Sequence, residues 1–271
     1  MGRHEVKTDC PAAAGTLAIS GADATAFLHA QLASDVHALA VGHWQWSAWL
    51  DAQGRVRALL QLARTGDADY VALLRGGEAA AMAAALGRFV LRARVALRAG
   101  TRALHAAAAA PMHHAASKPD DALLLGMGTH AWRIEATPGT SPRATEADAL
   151  LAHAWRTEIE AGWPWLPPTA LDALTPPALG LEHLGAVRFD KGCYPGQEIA
   201  ARLHFRGGNK RHLVTLQGDA AALSGLLEAH PETLLPLCTL HAEHLLVLGV
   251  LNTASAAAAA FEPLLQARHA A

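Results

Sequence analysis

The sequence predicts an α+β fold, in which helices cover one face of a largely antiparallel sheet. Two patterns in the first hundred residues support this prediction. Segments with apolar residues at every second position, typical of strands, are interspersed with segments whose apolar residues recur every three or four positions, typical of helices. The turns between them are short, and strands joined by tight turns pair antiparallel. The helices must then bury their apolar stripes against the sheet.

Each element of this first unit has its own local signal. Asp51–Gly54 is a turn, because Asp can bond forward to the backbone and Gly tolerates positive φ. The predicted strands are Thr16–Ser20, Trp44–Leu50, Val56–Ala63, Tyr70–Leu74 and Arg94–Arg98. The predicted helices are Asp23–Leu32 and Glu78–Val90.

The middle of the chain is less regular. We interpret 105–121 as a low-complexity connection, with a frayed helix over Ala106–Ala110. The prolines of Trp163–Pro168 exclude a helix there and favour a rigid extended segment. The other predictions are strands Leu123–Leu125 and Ala131–Glu135, a loop at Thr137–Arg143, a helix at Thr145–Ala161 interrupted near His153, and a proline-containing link at Leu174–Leu184.

We expect two domains, 1–205 and 206–271. Glu198–Phe205 fits a helix or a strand, and Arg206–Lys210 is a turn. The strands Arg211–Gln217 and Leu245–Asn252 follow, which predicts a small β-rich C-terminal unit.

Composition excludes several classes of protein. The 271 residues are 52% hydrophobic and 17% charged, with a formal net charge of −2. Without a global basic field, nucleic-acid binding is disfavoured as the main activity. The N-terminus has no apolar stretch typical of a signal peptide, and no uninterrupted run is long enough to span a membrane. We therefore expect a soluble protein of the cytoplasm that does not contact membranes.

The cysteines support the same interpretation. There are three, Cys10, Cys193 and Cys238, and none forms a Cys-x-x-Cys pair. We expect free thiols rather than a disulfide framework, and three thiols exclude a cysteine-only metal site within one chain.

The densest run of reactive side chains is Lys191–Glu198, which reads Lys-Gly-Cys-Tyr-Pro-Gly-Gln-Glu. A nearby ammonium stabilises a thiolate, and Lys191 lies two residues before Cys193, so the pair is a candidate reactive thiol with its activator. Arg202 and Arg206 add positive charge. The alternative is a buried cysteine in a structural turn.

Other constellations are weak. Cys193 with His204 or His212 has the residue types of a nucleophile and base, but 16 histidines make chance pairings common. His241 and His244 lack a third metal ligand nearby. Glu158 and Glu160 lie two apart on a predicted helix, so one points inward when the other is solvated, and an inward carboxylate can accept two N–H donors from a pterin-like edge.

Several segments resemble a known family. The motif Lys191–Glu198, extended by Ala201-Arg202, Phe205-Arg206-Gly207 and Asn209-Lys210-Arg211, looks like the signature of the YgfZ family, whose pattern Lys-Gly-Cys-Tyr-x-Gly-Gln-Glu is matched in full. These folate-binding proteins are related to the glycine-cleavage aminomethyltransferase, or T-protein. Further segments that resemble the family are Phe27–Val36, Trp49–Val56 and Glu158–Pro164.

The resemblance implies a fold and a ligand. The fold is the three-lobed T-protein arrangement, with ferredoxin-like α+β units forming two interleaved lobes in 1–205, a small C-terminal β-barrel, and a central hole that holds tetrahydrofolate. Glu160 matches the glutamate that contacts the pterin, and we assign Tyr194, Gln197 and Arg202 to the folate as well. Cys193 matches the cysteine on which family function depends. No metal site is expected.

The implied role is assembly or repair of iron–sulfur clusters in certain enzymes, which supports tRNA modification indirectly. The expected partners are iron–sulfur enzymes or assembly factors, without direct nucleic-acid binding, and the protein is expected to be a monomer. The alternatives are a folate-dependent one-carbon transferase or demethylase and a structural partner with an inert Cys193.

The chain also departs from its relatives. Where T-proteins carry an acidic pair, Ala58 and Leu59 stand here, so we expect no aminomethyltransferase activity. The Pro-Gln and Asn-Leu steps of the family read Pro176-Pro177 and Leu179-Gly180-Leu181.

Overall fold

The computed structural model describes residues 7–108, 112–119, 121–135 and 144–266. The strands are β1 (Lys7–Thr8), β2 (Ala13–Ser20), β3 (His43–Leu50), β4 (Val56–Arg64), β5 (Asp69–Leu74), β6 (Ala96–Ala107), β7 (Ala116–Ser117), β8 (Leu123–Gly126), β9 (Ala131–Glu135), β10 (Arg211–Gly218), β11 (Leu234–His241) and β12 (Leu245–Asn252). The α-helices are α1 (Ala24–Gln31), α2 (Ala79–Gly87), α3 (Ala144–Ala161), α4 (Gln197–Arg206) and α5 (Ala220–Ala229). Short 3-10 turns cover Pro168–Ala170, Pro176–Leu179 and Ala258–Leu264.

One eight-stranded antiparallel sheet organises the larger part of the molecule. Its order is β3-β4-β5-β2-β6-β9-β8-β7. The two ends of the sheet approach each other, because Trp44 N donates to His114 O at 2.8 Å and Ala116 N donates to Gly42 O at 2.8 Å. The sheet is therefore a nearly closed barrel, and the predicted α+β class is confirmed.

The two faces of this sheet bury different cores. On β2, Leu17 and Ile19 pack with residues of α1 and α2, such as Leu28 and Leu86, while Ala14 belongs to the core inside the barrel. This alternation follows from the two-residue period of a strand. The prediction that helices cover one face is confirmed.

The alanine-rich connection is where the prediction was wrong. Strand β6 runs to Ala107, so the segment interpreted as a connection and a frayed helix begins as strand. Pairing overrides the helix preference of alanine, since β6 pairs with β2 over 96–103 and with β9 over 103–107. The helix α3 is continuous through His153, and the loop predicted at 137–143 lies outside the described residues.

The C-terminal lobe contains a four-stranded antiparallel sheet in the order β1-β11-β12-β10, with Leu223 of α5 and Phe261 packed on one side. Sequence patterns missed β11 and α5. Pro236 interrupts the strand pattern of β11, which also has a register shift beside this proline. For α5 the sequence did contain a signal, because Asp219 is a residue type that caps helix starts, and its carboxylate accepts from Ala221 N and Ala222 N. The domain boundary at 205/206 stays a prediction.

The expectation of free thiols is wrong for two of the three cysteines. Pairing of β1 with β11 brings Cys10 beside Cys238, where the two form a disulfide with a Cα–Cα distance of 5.5 Å. The residues are 228 positions apart, so their spacing in the sequence gave no indication of the pairing. Cys193 is free.

No helix in the described part of the chain is both long enough and apolar enough to cross a membrane.

A buried ion pair joins the barrel to α3. The Arg75 guanidinium contacts the Glu158 carboxylate, and both side chains are at most 1% exposed. Arg75 also donates to Trp163 O at 3.0 Å and Pro164 O at 3.1 Å. Glu158 also accepts from Trp132 Nε1 at 2.7 Å, and His130 Nε2 lies 3.2 Å away. The end of β5, the start of the extended segment and α3 therefore share one polar cluster.

This cluster sets the ionisation of Glu158. Burial alone raises the pKa of a carboxyl group, but here the charge of Arg75 and hydrogen bonds from His130 and Arg75 outweigh burial and lower the pKa to about 2.

We predict that Glu158→Ala lowers the free energy of unfolding by about 3–5 kcal/mol, because it leaves the Arg75 charge buried without its partner. Urea unfolding measures the change, and Glu243→Gln on the exposed surface is the control. The double variant Arg75→Met/Glu158→Leu should cost less than Glu158→Ala. A cost within experimental error of the control would contradict this account.

The same pair predicts a pH dependence. A carboxyl group whose folded pKa is depressed stabilises the fold above its unfolded pKa, near 4.5, and loses that contribution as the pH falls toward 2. The difference in unfolding free energy between wild type and Glu158→Gln should therefore shrink from pH 4.5 to pH 2. A constant difference over this range would show that Glu158 is not ionised in the folded protein.

Candidate functional site

The candidate site is the loop 191–196, which is anchored at its start by Lys191. Its ammonium donates to His29 O, Leu32 O and Ser34 O at 2.5 to 3.0 Å. These carbonyls lie at the C-terminal end of α1 and just beyond it, where helix carbonyls lack intrahelical partners. Burial lowers the pKa of Lys191 to about 8, and the charge of Asp35 acts in the opposite direction.

This position gives Lys191 a structural role that the sequence did not predict, because its three protons are used by the three carbonyls. The expected action of its charge on Cys193 stays a prediction. Lys191 is an anchor that fixes the loop to α1.

The other end of the loop is fixed by contact between two backbones. Gly196 has φ +78°, and a Cβ there would overlap Asp51 O and lie 2.9 Å from Gly54 Cα. Gly54 itself has φ +73°. The β3–β4 turn and the loop therefore fit together only because both positions are glycine. The predicted turn Asp51–Gly54 thus has a second role, because the loop 191–196 packs against its backbone.

Cys193 lies exposed between these two anchors. The Phe189 ring lies 5.7 Å from that of Phe205, in the last turn of α4, while Gly196 immediately precedes the first turn. The segment from Phe189 to Gly196 therefore runs alongside all ten residues of α4, a length of about 15 Å. The loop presents its thiol beside α4, and the alternative of a buried cysteine is wrong.

Below the loop lie polar atoms that have no hydrogen-bond partner in the described part of the chain. Tyr194 is 6% exposed, and its hydroxyl is one of these atoms. Burial first, and the nearby Glu182 charge second, raise the pKa of this phenol. Glu182 Oε1 also lacks a hydrogen bond, and its nearest cation is His204 at 3.8 Å. A ligand or water that reached them would be stabilised, because unpaired buried polar atoms are costly.

The outer face of α4 is exposed and basic. Phe205 is 72% exposed and Ile199 is 37% exposed. Arg202 and Arg206 lie on the same side, because residues three, four and seven apart share a helix face. Gln197, at the start of α4, points back and donates to Lys191 O at 3.4 Å.

The two glutamates of α3 divide as expected, with one inside and one outside. Glu158 is the buried one, and its carboxylate is fully occupied by the cluster around Arg75. Glu160 is 40% exposed, and its nearest charged partner is Arg156 at 3.5 Å. Only Glu160 therefore has a carboxylate available to a ligand. Among the described residues, no hydrogen bond or ion pair joins Glu160 to the loop 191–196, and its contact with a folate stays a prediction.

The positions that replace the acidic pair of T-proteins are apolar. Ala58 is 1% exposed and Leu59 is 0% exposed, and they belong to the two different cores on either side of the sheet. Neither side chain can transfer a proton.

The rival constellations gain no support. The His204 ring packs at a tilt against Phe189 and lies 3.8 Å from Glu182, and no hydrogen bond joins it to Cys193 among the described residues. No group of three or more His, Cys, Asp or Glu among the described residues has the arrangement of a metal site.

Sequence reasoning missed two features of this region. The Arg75 partner of Glu158 could have been suspected from an arginine at the end of an apolar strand, directly before Gly76 and Gly77. The exposed aromatic face of α4 had no such signal, since Glu198–Phe205 fitted helix and strand equally.

We predict that Gly196→Ala destabilises the protein by about 1–3 kcal/mol, because it forces positive φ on alanine and a clash with the Asp51 carbonyl. The matched control is Gly192→Ala, since a Cβ there meets nothing within 4 Å. Thermal unfolding compares the two variants. Equal effects would show that the loop is not seated on the β3–β4 turn.

We predict different effects on stability for substitutions at Lys191 and at Cys193. Lys191→Met leaves three carbonyls without their donor and should cost about 1–3 kcal/mol of stability. Cys193→Ser changes an exposed side chain and should stay within about 0.5 kcal/mol of wild type. Urea midpoints of both variants test this, and a large loss in Cys193→Ser would place the thiol in the structural framework.

Comparisons with known proteins identify relatives of this chain. The chain is 30% identical over 233 residues to the tRNA-modifying protein YgfZ of Edwardsiella ictaluri, covering 76% of this chain and 69% of the relative. It is 31% identical over 229 residues to the tRNA-modifying protein YgfZ of Escherichia coli O157:H7, covering 76% and 70%. No family model matches the chain.

The fold has a solved counterpart. The crystal structure of the glycine cleavage system aminomethyltransferase T from Bartonella henselae matches with a TM-score of 0.65 at 17% sequence identity, over 93% of this chain and 80% of that one. At this identity the match shows the fold alone, and it confirms the predicted T-protein-like architecture. Together with the sequence identity to the curated relatives, the complete motif at Lys191–Glu198 shows that this chain belongs to the YgfZ family.

Proposed function

We propose that the protein is a tetrahydrofolate-binding accessory factor that supports assembly or repair of iron–sulfur clusters in a subset of enzymes, and through them tRNA modification. The observation that carries this proposal is the placement of Cys193. It is the free cysteine of the chain, it is exposed, and its loop is fixed at both ends by Lys191 and Gly196. A rigidly presented thiol suits a repeated encounter with a partner.

The proposal limits what the thiol does. Iron–sulfur clusters usually need four ligands, so one thiol cannot hold a cluster alone. The described residues offer no group of three metal-binding side chains to complete the set. Cys193 therefore acts by transient contact, shared with the client or an assembly factor.

The α4 face supports a protein partner. Exposed aromatic residues and arginines are enriched where interfaces bind most strongly, and Phe205 with Arg202 and Arg206 has this composition on the helix that follows the Cys193 loop. Iron–sulfur enzymes or assembly factors are the partners we propose for this face, with the protein itself acting as a monomer and without direct binding of nucleic acid.

Folate binding rests on Glu160. Its carboxylate is partly exposed and weakly engaged by Arg156, so it can accept hydrogen bonds from the N–H groups of a pterin. Tyr194, Gln197 and Arg202 are the further contacts proposed for the ligand. The apolar Ala58 and Leu59 argue against the alternative of a one-carbon transferase or demethylase, because no acid stands there to move protons.

We also propose that the protein acts in the cytoplasm. The disulfide between Cys10 and Cys238 runs against this placement, because disulfides are rare in that compartment. Alkylation of thiols in intact cells followed by mass spectrometry decides the matter. Two alkylated cysteines at positions 10 and 238 would agree with a reducing compartment, and an intact bond would contradict it.

We predict that a strain lacking the gene regains iron–sulfur enzyme activity with the wild-type protein but stays at the empty-vector level with Cys193→Ala, because the thiol contacts the client. Purified Glu160→Ala should bind tetrahydrofolate about 10–100-fold more weakly in calorimetry, the equivalent of one charge-assisted hydrogen bond.

The controls are Cys193→Ala in the binding assay and Glu243→Gln in both assays, and each should behave as wild type. Full complementation by Cys193→Ala would overturn the role of the thiol. Wild-type protein without saturable folate binding would overturn the cofactor.

A further inference from the structure

A small cavity opens on the inner face of the barrel, at strands β2 and β6. In their antiparallel register, Thr16 lies opposite Gly100 and Ala18 lies opposite Arg98. Residues opposite each other share a face of the sheet. Since Leu17 and Ile19 face α1 and α2, the face that carries Thr16 and Arg98 is the one turned away from the helices.

The cavity has a volume of about 120 Å³. Residues of β5, β8 and β9 complete its wall, namely Val71, Leu123 and Ile134. The polar residues that line it are Thr16, Arg98, Arg102, Lys118 and Asp121. Barrel mouths are common sites for small ligands, and this one brings together residues that are far apart in the sequence.

The described part of its lining is positively charged. Among the described residues that line it, Arg98, Arg102 and Lys118 supply three cations, against the one carboxylate of Asp121. Within the described part of the chain, Arg98 and Lys118 have no ion pair or hydrogen bond, and Arg102 donates Nη1 to the main-chain oxygen of Asp121 at 2.9 Å. The whole chain carries a net charge of −2, so this concentration of cations is local.

A second observation points to a ligand. Thr16 is 4% exposed, and its hydroxyl forms no hydrogen bond with another described residue. The hydroxyl is not among the fully buried atoms without a partner, so it is reached from the cavity and can donate to a ligand there. The hydroxyl borders the cavity, between the two arginines that stand on the neighbouring strand.

Gly100 keeps this space open. A Cβ at position 100 would lie 3.4 Å from Thr16 Oγ1. Gly100 does not have a positive φ, so the backbone conformation does not require glycine at this position. Without a side chain at position 100, the space beside the Thr16 hydroxyl stays open between the positions of Arg98 and Arg102 on β6.

We propose that this cavity binds a compact oxyanion, a carboxylate or a phosphate group, either free or as the end of a larger ligand. Arg98 and Lys118 neutralise it, Arg102 adds a second guanidinium, and the Thr16 hydroxyl donates a hydrogen bond. Guanidinium groups match the geometry of carboxylate and phosphate oxygens, which makes these the preferred ligands. The site uses none of the residues of the loop 191–196 and goes beyond the function proposed above.

The test is calorimetry on the full chain with three separate probes: inorganic phosphate, L-glutamate and tetrahydrofolate. We expect saturable binding of phosphate or glutamate with a Kd below about 1 mM, weakened at least about tenfold by Arg98→Ala and by Gly100→Val. The matched control, Arg92→Ala, removes an exposed arginine outside the cavity and should leave binding unchanged. Far-UV circular dichroism confirms that each variant is folded.

The three probes distinguish the source of the oxyanion. Phosphate binding alone assigns the cavity to phosphate groups, and glutamate binding assigns it to carboxylates. If Arg98→Ala weakens tetrahydrofolate as well, the cavity holds the glutamyl carboxylates of the folate. Absence of saturable binding for all three probes, or binding that Arg98→Ala and Gly100→Val leave unchanged, overturns the proposal.

Discussion

The contact between Arg75 and Glu158 is the interaction on which the rest of the structure depends. It joins the end of β5 to α3, and it also orders the segment at Trp163 and Pro164 through its remaining donors. Two charges buried in an apolar core are tolerated only when each is paired and hydrogen-bonded. The rings of Trp46 and Trp165 lie over the guanidinium at 4.8 and 4.3 Å, which completes its surroundings. The barrel and α3 are thus held together by polar chemistry in the middle of a hydrophobic core.

This arrangement explains why neighbouring polar groups have different uses. Glu158 is saturated by its partners, so it belongs to the framework, whereas Glu160 keeps a carboxylate that a ligand can reach. The same distinction separates Lys191 from Cys193. The ammonium is consumed by three main-chain carbonyls, and the thiol two residues later is exposed. Glu158 thus fixes the helix that carries Glu160, and Lys191 fixes the loop that carries Cys193.

The family signature is therefore as much a folding motif as a chemical one. Gly196 allows the loop to sit on the β3–β4 turn at a distance that no side chain would permit, and Gly54 meets it from the other side. The loop is rigid in relation to the barrel because the contact is between backbones. A thiol on such a loop keeps a defined position relative to α4, which begins directly after the loop and carries the basic and aromatic face.

The sequence alone determined the α+β class, most strands and helices, the turn at Asp51–Gly54 and the segment Lys191–Glu198 as the candidate site. These follow from local periodicity, turn chemistry and a motif of consecutive residues, all of which can be read along the chain. Only the tertiary structure decided that β6 continues through the alanines to Ala107, that Cys10 meets Cys238, that Glu158 rather than Glu160 is buried, and that Lys191 serves α1. Each of these depends on a partner far away in the sequence, and the free energy of such a contact leaves no trace in the local pattern.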